Sequence, residues 1–131
     1  GTELAICILE DADGLRALPS ISISPPNRLY DYDARYTAGL TQFACPPALP
    51  QEHLVGAVNA ALTAHQVFGL RDWSRADLIV DADGRSWMLE VNAAPGMTET
   101  SLYPQALAAA GLDLGSTVLR LVEQAVARRL S

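Results

Sequence analysis

Lysine is absent from this 131-residue chain, and all nine of its basic residues are arginines. Any contact that the chain makes to a phosphate must therefore come from an arginine, a backbone N–H or a bound metal. Positive charge is scarce altogether. Fifteen acidic residues against nine basic ones leave a net charge of -6, which excludes the basic footprint of a nucleic-acid-binding protein. No apolar run approaches the ~20 residues of a membrane-spanning helix, so no membrane partner is expected. No secretory signal pattern opens the chain. Cysteine is limited to Cys7 and Cys45. Neither lies in a C-x-x-C spacing, so thiolate metal sites are excluded. Cys7 sits in an apolar run and reads as a small core residue, and both thiols are expected to be free. His53 and His65, the only histidines, fall on a predicted helix and receive no catalytic role. The chain opens at Gly1-Thr2-Glu3, without Met and within an expected strand, which suggests a piece or a processed product of a longer protein.

What is present suffices for a core. Half of the residues are hydrophobic, and the length suits one modest domain or part of a larger one. Residues 3–10 and 16–24 are expected to form a hairpin around Asp11-Ala12-Asp13-Gly14, with Ile21 and Ile23 alternating against serines in a half-buried strand. Residues 25–50 show no clear period and carry five prolines with Tyr30, Tyr32 and Tyr36. A loop this long is usually a functional cover or a linker, and its Tyr-rich stretch favours a structured, mobile cover. Residues 51–69 read as an amphipathic helix with Leu54, Val55, Val58, Leu62 and Val67 inward and Gly69 as its stop. Ser101 to Gly111 suggests a short helix with Pro104 in its first turn. Residues 114–130 suggest another, with Val118, Leu121, Val122, Ala125 and Val126 inward. Its last turn carries Arg128 and Arg129, which suit the helix dipole. The expected architecture is α+β, an antiparallel sheet with helices packed mainly on one face and the site on the other.

The segment richest in chemistry is Arg75-Ala76-Asp77 with Met88 to Thr98, joined through Asp81-Ala82-Asp83-Gly84. Asp-Gly between apolar runs is a strong hairpin signal. A two-residue turn at Asp83-Gly84 sets Asp77 opposite Glu90 and Arg75 opposite Asn92. A four-residue loop sets Asp77 diagonal to Glu90. In either register Arg75, Asp77, Ile79, Met88, Glu90 and Asn92 share one face, and Leu78, Val80, Trp87, Leu89 and Val91 share the other, which reads as core. Two carboxylates facing each other destabilise a sheet unless something positive compensates. Arg75 is one candidate. A hard divalent cation is the better one, because two carboxylates and a carboxamide make an all-oxygen set suited to magnesium, with phosphate as its natural companion.

These residues carry a resemblance. Arg75-x-Asp77, followed by Leu89-Glu90-x-Asn92-x-x-Pro95-Gly96-Met97-Thr98-x-x-Ser101-Leu102, resembles the C-terminal part of the D-alanine–D-alanine ligases of the ATP-grasp superfamily. The Tyr30–Tyr36 stretch resembles the mobile loop of that family, and the likeness runs over essentially the whole chain, from Glu3 to the last helix, so that residues 1–131 are expected to form one partial C-terminal ligase domain. The Pro-Gly-Met-Thr-x-x-Ser-Leu segment is specific to this branch, whereas the acidic hairpin is shared by ATP-grasp enzymes in general. The resemblance implies a cytoplasmic enzyme, a homodimer at full length, that joins two D-alanines at the expense of ATP for peptidoglycan synthesis. It implies that Asp77, Glu90 and Asn92 hold magnesium, two ions in all, with manganese as a substitute. It implies that Arg75 and the N–H of Gly96 stabilise the acyl phosphate and tetrahedral intermediate, and that Tyr36 closes over the substrates. Ser101 and the backbone of Leu102 would bind the second D-alanine, and Glu3, Arg35 and Ile79 the nucleotide. Arg35 stands where the family usually carries lysine, which keeps the charge and changes its reach.

The family's N-terminal domain, glycine-rich phosphate loop and nucleotide lysines have no counterpart here, so the 131-residue piece alone is expected to show little or no ligase activity. Two other readings compete: an ATP-grasp carboxylate–amine ligase for a different amino-acid pair, and a non-catalytic remnant that acts only as a packing module.

Overall fold

The apolar run that opens the chain becomes the central strand of the sheet. In the computed structural model, which describes residues 1–24 and 42–130, β1 (Thr2–Asp11) is paired along both edges. β2 (Gly14–Ala17) and β3 (Ile21–Ser24) follow one another along one edge, and β5 (Trp73–Val80) runs along the other. β4 (Gln42–Ala44) borders β3, and β6 (Ser86–Asn92) borders β5. The order is β4-β3-β1-β5-β6, and each pairing is antiparallel. Leu4 to Leu9 are fully buried, because both faces of β1 are covered. That is why this segment reads as a continuous apolar run and not as an alternation.

Three helices among the described residues cover the sheet: α1 (Gln51–Val67), α2 (Leu102–Ala109) and α3 (Leu114–Leu130). α1 packs Ala57 and Ala61 against Leu4, Ile6, Ile8, Ala76, Leu78 and Val80 on one face. On the opposite face Leu102, Tyr103, Ala106 and Leu107 of α2 and Leu121 of α3 meet Ala5, Cys7, Leu9, Ile21 and Ile23. Tyr103 is fully buried, donates from its hydroxyl to the Ile8 carbonyl at 2.8 Å, and meets Trp73 edge-on at 5.8 Å between ring centres.

The antiparallel sheet with helices is the expected α+β architecture, but the helices are not packed mainly on one face with the site on the other: α1 covers the Leu4–Ile6–Ile8 face, and α2 and α3 cover the Ala5–Cys7–Leu9 face, which also carries Arg75 and Asp77. β1 is apolar on both faces, so both need cover. Four local departures accompany this one. The strand expected over 16–24 is two strands. The register against β1 advances by one residue between Ile8–Ala17 and Ala5–Ile21. Pro19, which has no N–H to give the ladder, lies at this interruption. Within 25–50, residues 42–44 form β4, too short to show a period. On α1, Val55 and Val67 are exposed, while His65 joins Ala57 and Ala61 on the buried line. Small side chains there let the helix approach the large residues of β1, and Leu54, Val58 and Leu62 flank the contact half-buried. On α3, Thr117 and Leu121 face inward, whereas Val122, Ala125 and Val126 are exposed. This helix is turned toward the polar end of β1 by Gln124, which donates to the Glu10 carbonyl and to Asp72 Oδ1, both at 3.3 Å.

Both cysteines are free, with Cys7 buried and Cys45 exposed. None of the described helices is long and apolar enough to cross a membrane.

Candidate active site

The β5–β6 hairpin brings the four polar residues singled out in the sequence onto one face, in the tighter of the two registers considered. Asp77 pairs with Glu90, and Arg75 pairs with Asn92. Across the other edge of β5, Arg75 pairs with Cys7, Asp77 with Ala5, and Ile79 with Glu3. With side chains alternating along each strand, Glu3, Arg75, Asp77, Ile79, Glu90 and Asn92 lie on the same face of three adjacent strands. The small residues Ala5 and Cys7 beneath Asp77 and Arg75 leave room for a carboxylate and a guanidinium to lie on the sheet.

The register does not hold to the turn. Leu78 pairs with Met88 and Ile79 with Trp87, so Leu89 is an extra residue and forms a bulge between the two halves of the hairpin. A one-residue insertion exchanges faces beyond it. Met88, expected beside Ile79, is on the Leu78 face, and Trp87, expected in the core, is on the Ile79 face. Trp87 is 58% and Leu89 55% exposed, so neither is a core residue. At the turn, Asp81 Oδ1 accepts from the N–H groups of Asp83 and Arg85, both at 2.9 Å, and Asp81 Oδ2 accepts from Trp87 Nε1 at 2.9 Å. Gly84 has φ 82°, and a Cβ there would run into the His53 ring. The turn thus needs glycine for both conformation and room.

Arg75 compensates the carboxylates. Its Nε donates to Asp77 Oδ1 and its Nη2 to Asp77 Oδ2, each at 2.8 Å, and Nη2 also reaches Glu90 Oε1 at 3.4 Å. The Arg75 side chain is 10% exposed and that of Asp77 4%, against 47% for Glu90. Burial raises the Asp77 carboxyl above its ordinary value; Arg75 pulls it down, and Glu90 pushes it up again. The Arg75 guanidinium titrates above its ordinary range: burial opposes the charge, and the Asp77 hydrogen bond and charge more than offset it. Burial pushes the Cys7 thiol, adjacent to this pair, up to about 12.

Beyond β6 the chain folds back over the Ala5–Cys7 side of the core. Asn92 Oδ1 accepts from the Ala94 N–H at 2.9 Å, which turns the chain. Met97 packs on the core and Leu102 is buried in it, so only the backbone of Leu102 is available to a ligand. Ser101 is the N-cap residue of α2 without a side-chain capping bond. Its Oγ accepts instead from the Thr98 N–H at 3.0 Å and lies 2.7 Å from Thr98 Oγ1. A Cβ at Gly96 would stand 2.9 Å from Ser101 Oγ, so glycine at 96 lets the two residues share one position at the start of the helix.

Asp77, Glu90 and Asn92 fit a hard cation by their chemistry, since they are all oxygen donors and Asn92 keeps a second lone pair on Oδ1. Among the described residues no group of three or more His, Cys, Asp or Glu side chains could hold a metal, so any site here draws on two carboxylates with the carboxamide. Tyr36 and Arg35 lie outside the described residues. Sequence reasoning missed the Leu89 bulge and a buried contact behind the site, where His65 Nδ1 lies 2.7 Å from Ser74 Oγ and His65 Nε2 lies 3.4 Å from Glu10 Oε2. Its only signal was a histidine at helical spacing from two alanines.

The chain is similar to known proteins. The family model described as "D-ala D-ala ligase C-terminus" matches residues 1–123. The chain is 41% identical over 126 residues to a D-alanine–D-alanine ligase of Pseudomonas fluorescens, covering 96% of this chain and 38% of that protein. It is 42% identical over 125 residues to one of Anaeromyxobacter dehalogenans, covering 95% and 39%. Among solved structures, the D-alanine–D-alanine ligase of Bacillus anthracis complexed with ATP superposes with a TM-score of 0.77 at 26% identity, over 98% of this chain and 39% of that one. The VanG D-Ala:D-Ser ligase of Enterococcus faecalis gives 0.73 at 26% identity, over 94% and 36%. The chain thus spans about two fifths of the length of these relatives.

Proposed function

This chain belongs to the D-ala D-ala ligase C-terminal family, and on that premise we propose that it supplies the metal- and intermediate-binding part of an ATP-dependent ligase for two D-alanines. The observation that carries the reading is the shared face of Arg75, Asp77, Glu90 and Asn92, with Glu3 and Ile79 beside them.

In this reading a carboxylate oxygen of the first D-alanine attacks the γ-phosphorus of ATP, giving an acyl phosphate and ADP. The amine of the second D-alanine then attacks the acyl carbon, loses a proton, and phosphate leaves. Both steps gather negative charge on oxygens, so positioning and electrostatics carry the catalysis. Asp77, Glu90 and Asn92 would hold magnesium, two ions with manganese as a substitute, which when bound neutralises the ATP phosphates. Arg75 donates to the phosphoryl and tetrahedral oxygens from the buried edge of the site, and the Gly96 N–H donates beside it. Ser101 and the Leu102 N–H receive the carboxylate of the second D-alanine at the start of α2, where anions are favoured. Glu3 accepts from the ribose, Ile79 lies against adenine, and Arg35 and Tyr36 belong to the cover over the phosphates and substrates. The reading carries with it a cytoplasmic location, assembly as a homodimer, and no nucleic-acid or membrane partner.

The VanG neighbour, whose name pairs D-Ala with D-Ser, supports a second reading in which the same machinery serves another second substrate. A panel of D-amino and D-hydroxy acids separates the two.

Calorimetric titration with Mg2+ and ATP tests the carboxylate pair. Metal-dependent binding that weakens at least about tenfold in Glu90→Gln is expected. ATP binding that needs no metal and ignores Glu90→Gln would overturn the assignment of these residues.

A further inference from the structure

Arg75 and the divalent ion are assigned to the same carboxylate. The guanidinium grips Asp77 side-on through Nε and Nη2 and reaches Glu90 with the second of these. Among the described residues, Nη1 has no hydrogen-bond partner. We propose that Arg75 is the resident counter-ion of the Asp77–Glu90 pair and lowers its affinity for a bare divalent ion, so that the ion enters in company with phosphate.

The argument is electrostatic and rests on the reading of Asp77 and Glu90 as metal ligands. Two carboxylates face each other across a strand pair, and the side-on guanidinium offsets part of their negative charge. An incoming cation meets a fixed positive charge bonded to its own ligand. Arg75 and Asp77 are nearly buried, so that repulsion is weakly screened. A triphosphate reverses the balance. It brings several negative charges, takes hydrogen bonds from Nη1, and makes the ion's arrival favourable without breaking the Arg75–Asp77 pair. Arginine suits this role because two of its donor groups can be committed to Asp77 while a third faces outward. Lysine could supply the charge but not the fork.

Mn2+ alone is the probe, titrated into the chain and followed by water-proton relaxation. Arg75→Met is expected to bind Mn2+ at least about tenfold more tightly than the wild type. Arg75→Lys, which keeps the charge, should stay near the wild type. Equal, weaker or undetectable binding by Arg75→Met overturns the inference. Where circular dichroism shows that Arg75→Met does not fold, Arg75→Gln, neutral yet able to donate to Asp77, carries the same expectation. Asp77→Asn separates this inference from the reading beneath it. If Asp77→Asn abolishes binding while Arg75→Met fails to tighten it, the counter-ion role falls and the metal ligands stand. If Mn2+ binding is indifferent to Asp77→Asn, the ligand assignment falls and takes the inference with it.

Discussion

Two clusters of aspartate and arginine sit on this sheet, and they are built in opposite ways. At the β1–β2 turn, Asp11 has more positive charge than it needs. Arg16 donates to both of its oxygens at 2.8 and 3.2 Å, the Asp13 N–H adds a bond at 3.0 Å, and Arg120 stands 3.6 Å away. The Arg16 hydrogen bond accordingly holds the Asp11 carboxyl below its ordinary value, against the effect of burial. On the β5–β6 hairpin the ratio is inverted, with Arg75 serving both Asp77 and Glu90, and burial leaves the Asp77 carboxyl above its ordinary value. The first cluster is electrostatically complete and holds a turn. In the second, among the described residues, one buried arginine is shared between two carboxylates. Acidic residues near arginines therefore mean different things according to which charge is in excess.

The largest expected effect breaks the second cluster at Arg75. Arg75→Ala leaves Asp77 buried opposite Glu90, and breaking a buried pair in this way costs about 3–5 kcal/mol of folding stability. Urea denaturation of the chain in metal-free buffer measures it. A loss below about 1 kcal/mol would place the pair with ordinary exposed ion pairs and remove the contrast between the clusters.

A smaller effect sharpens the comparison through its sign. Asp11 titrates below the ordinary aspartate value of 3.8 in the folded protein. Its ionised form therefore adds stability above the unfolded value, and this is lost as pH falls through the folded one. The stability gap between wild type and Asp11→Asn should be full at neutral pH and shrink on acidification. Asp77 titrates above 3.8. The folded state keeps its proton where the unfolded state has lost it, so wild-type stability falls as pH rises through that window. Asp77→Asn, which cannot ionise, should gain on the wild type as pH climbs from 3.8 through the raised value. Denaturant midpoints of both variants from pH 3 to 7 measure these slopes, and slopes of the same sign would contradict the contrast.

How much of this could be read in advance depended on whether a feature was local. The face of Arg75, Asp77, Glu90 and Asn92 follows from period-two alternation and a turn signal, and it held. The positions of Trp87 and Met88 follow from the same alternation and failed, because Leu89 is inserted as a bulge. Nothing in the triplet Met88-Leu89-Glu90 distinguishes a bulged leucine from a paired one. Pro19 did carry a signal for the break between β2 and β3, since proline cannot donate to a ladder. The buried lines of α1 and α3 were misjudged for another reason. Hydrophobicity ranks Val55 above Ala57 and Val122 above Gln124. The distance of α1 from the sheet favours alanine, and the polar end of β1 favours glutamine. Those are properties of the partner surface and not of the helix sequence. The facing carboxylates were legible as a need for positive charge. That Arg75 meets part of the need, side-on, is a matter of rotamer and burial.

The smallest expected effect lies at a third ion pair, which marks the boundary of the comparison. Asp72, the residue just before β5, has φ 70°, in the left-handed region. Its carboxylate receives Arg128 Nη1 and Nη2 at 2.7 and 2.8 Å. Both pairs are bidentate, end-on through Nη1 and Nη2 for Arg128 and side-on through Nε and Nη2 for Arg75, and the surroundings differ, since the Arg128 side chain is 34% exposed and that of Asp72 25%. Water can replace the guanidinium there, and aspartate tolerates the left-handed conformation better than most residues. Arg128→Ala should therefore lower Tm by no more than about 5 °C, as a solvent-facing pair allows. A fall of more than about 10 °C would show that Arg128 pins the unusual backbone at Asp72 and, through it, the start of the strand that carries Arg75 and Asp77. Bidentate geometry would then govern these pairs irrespective of burial. A fall within the smaller range leaves burial as the quantity that separates an arginine–aspartate pair on the surface from one held within the sheet.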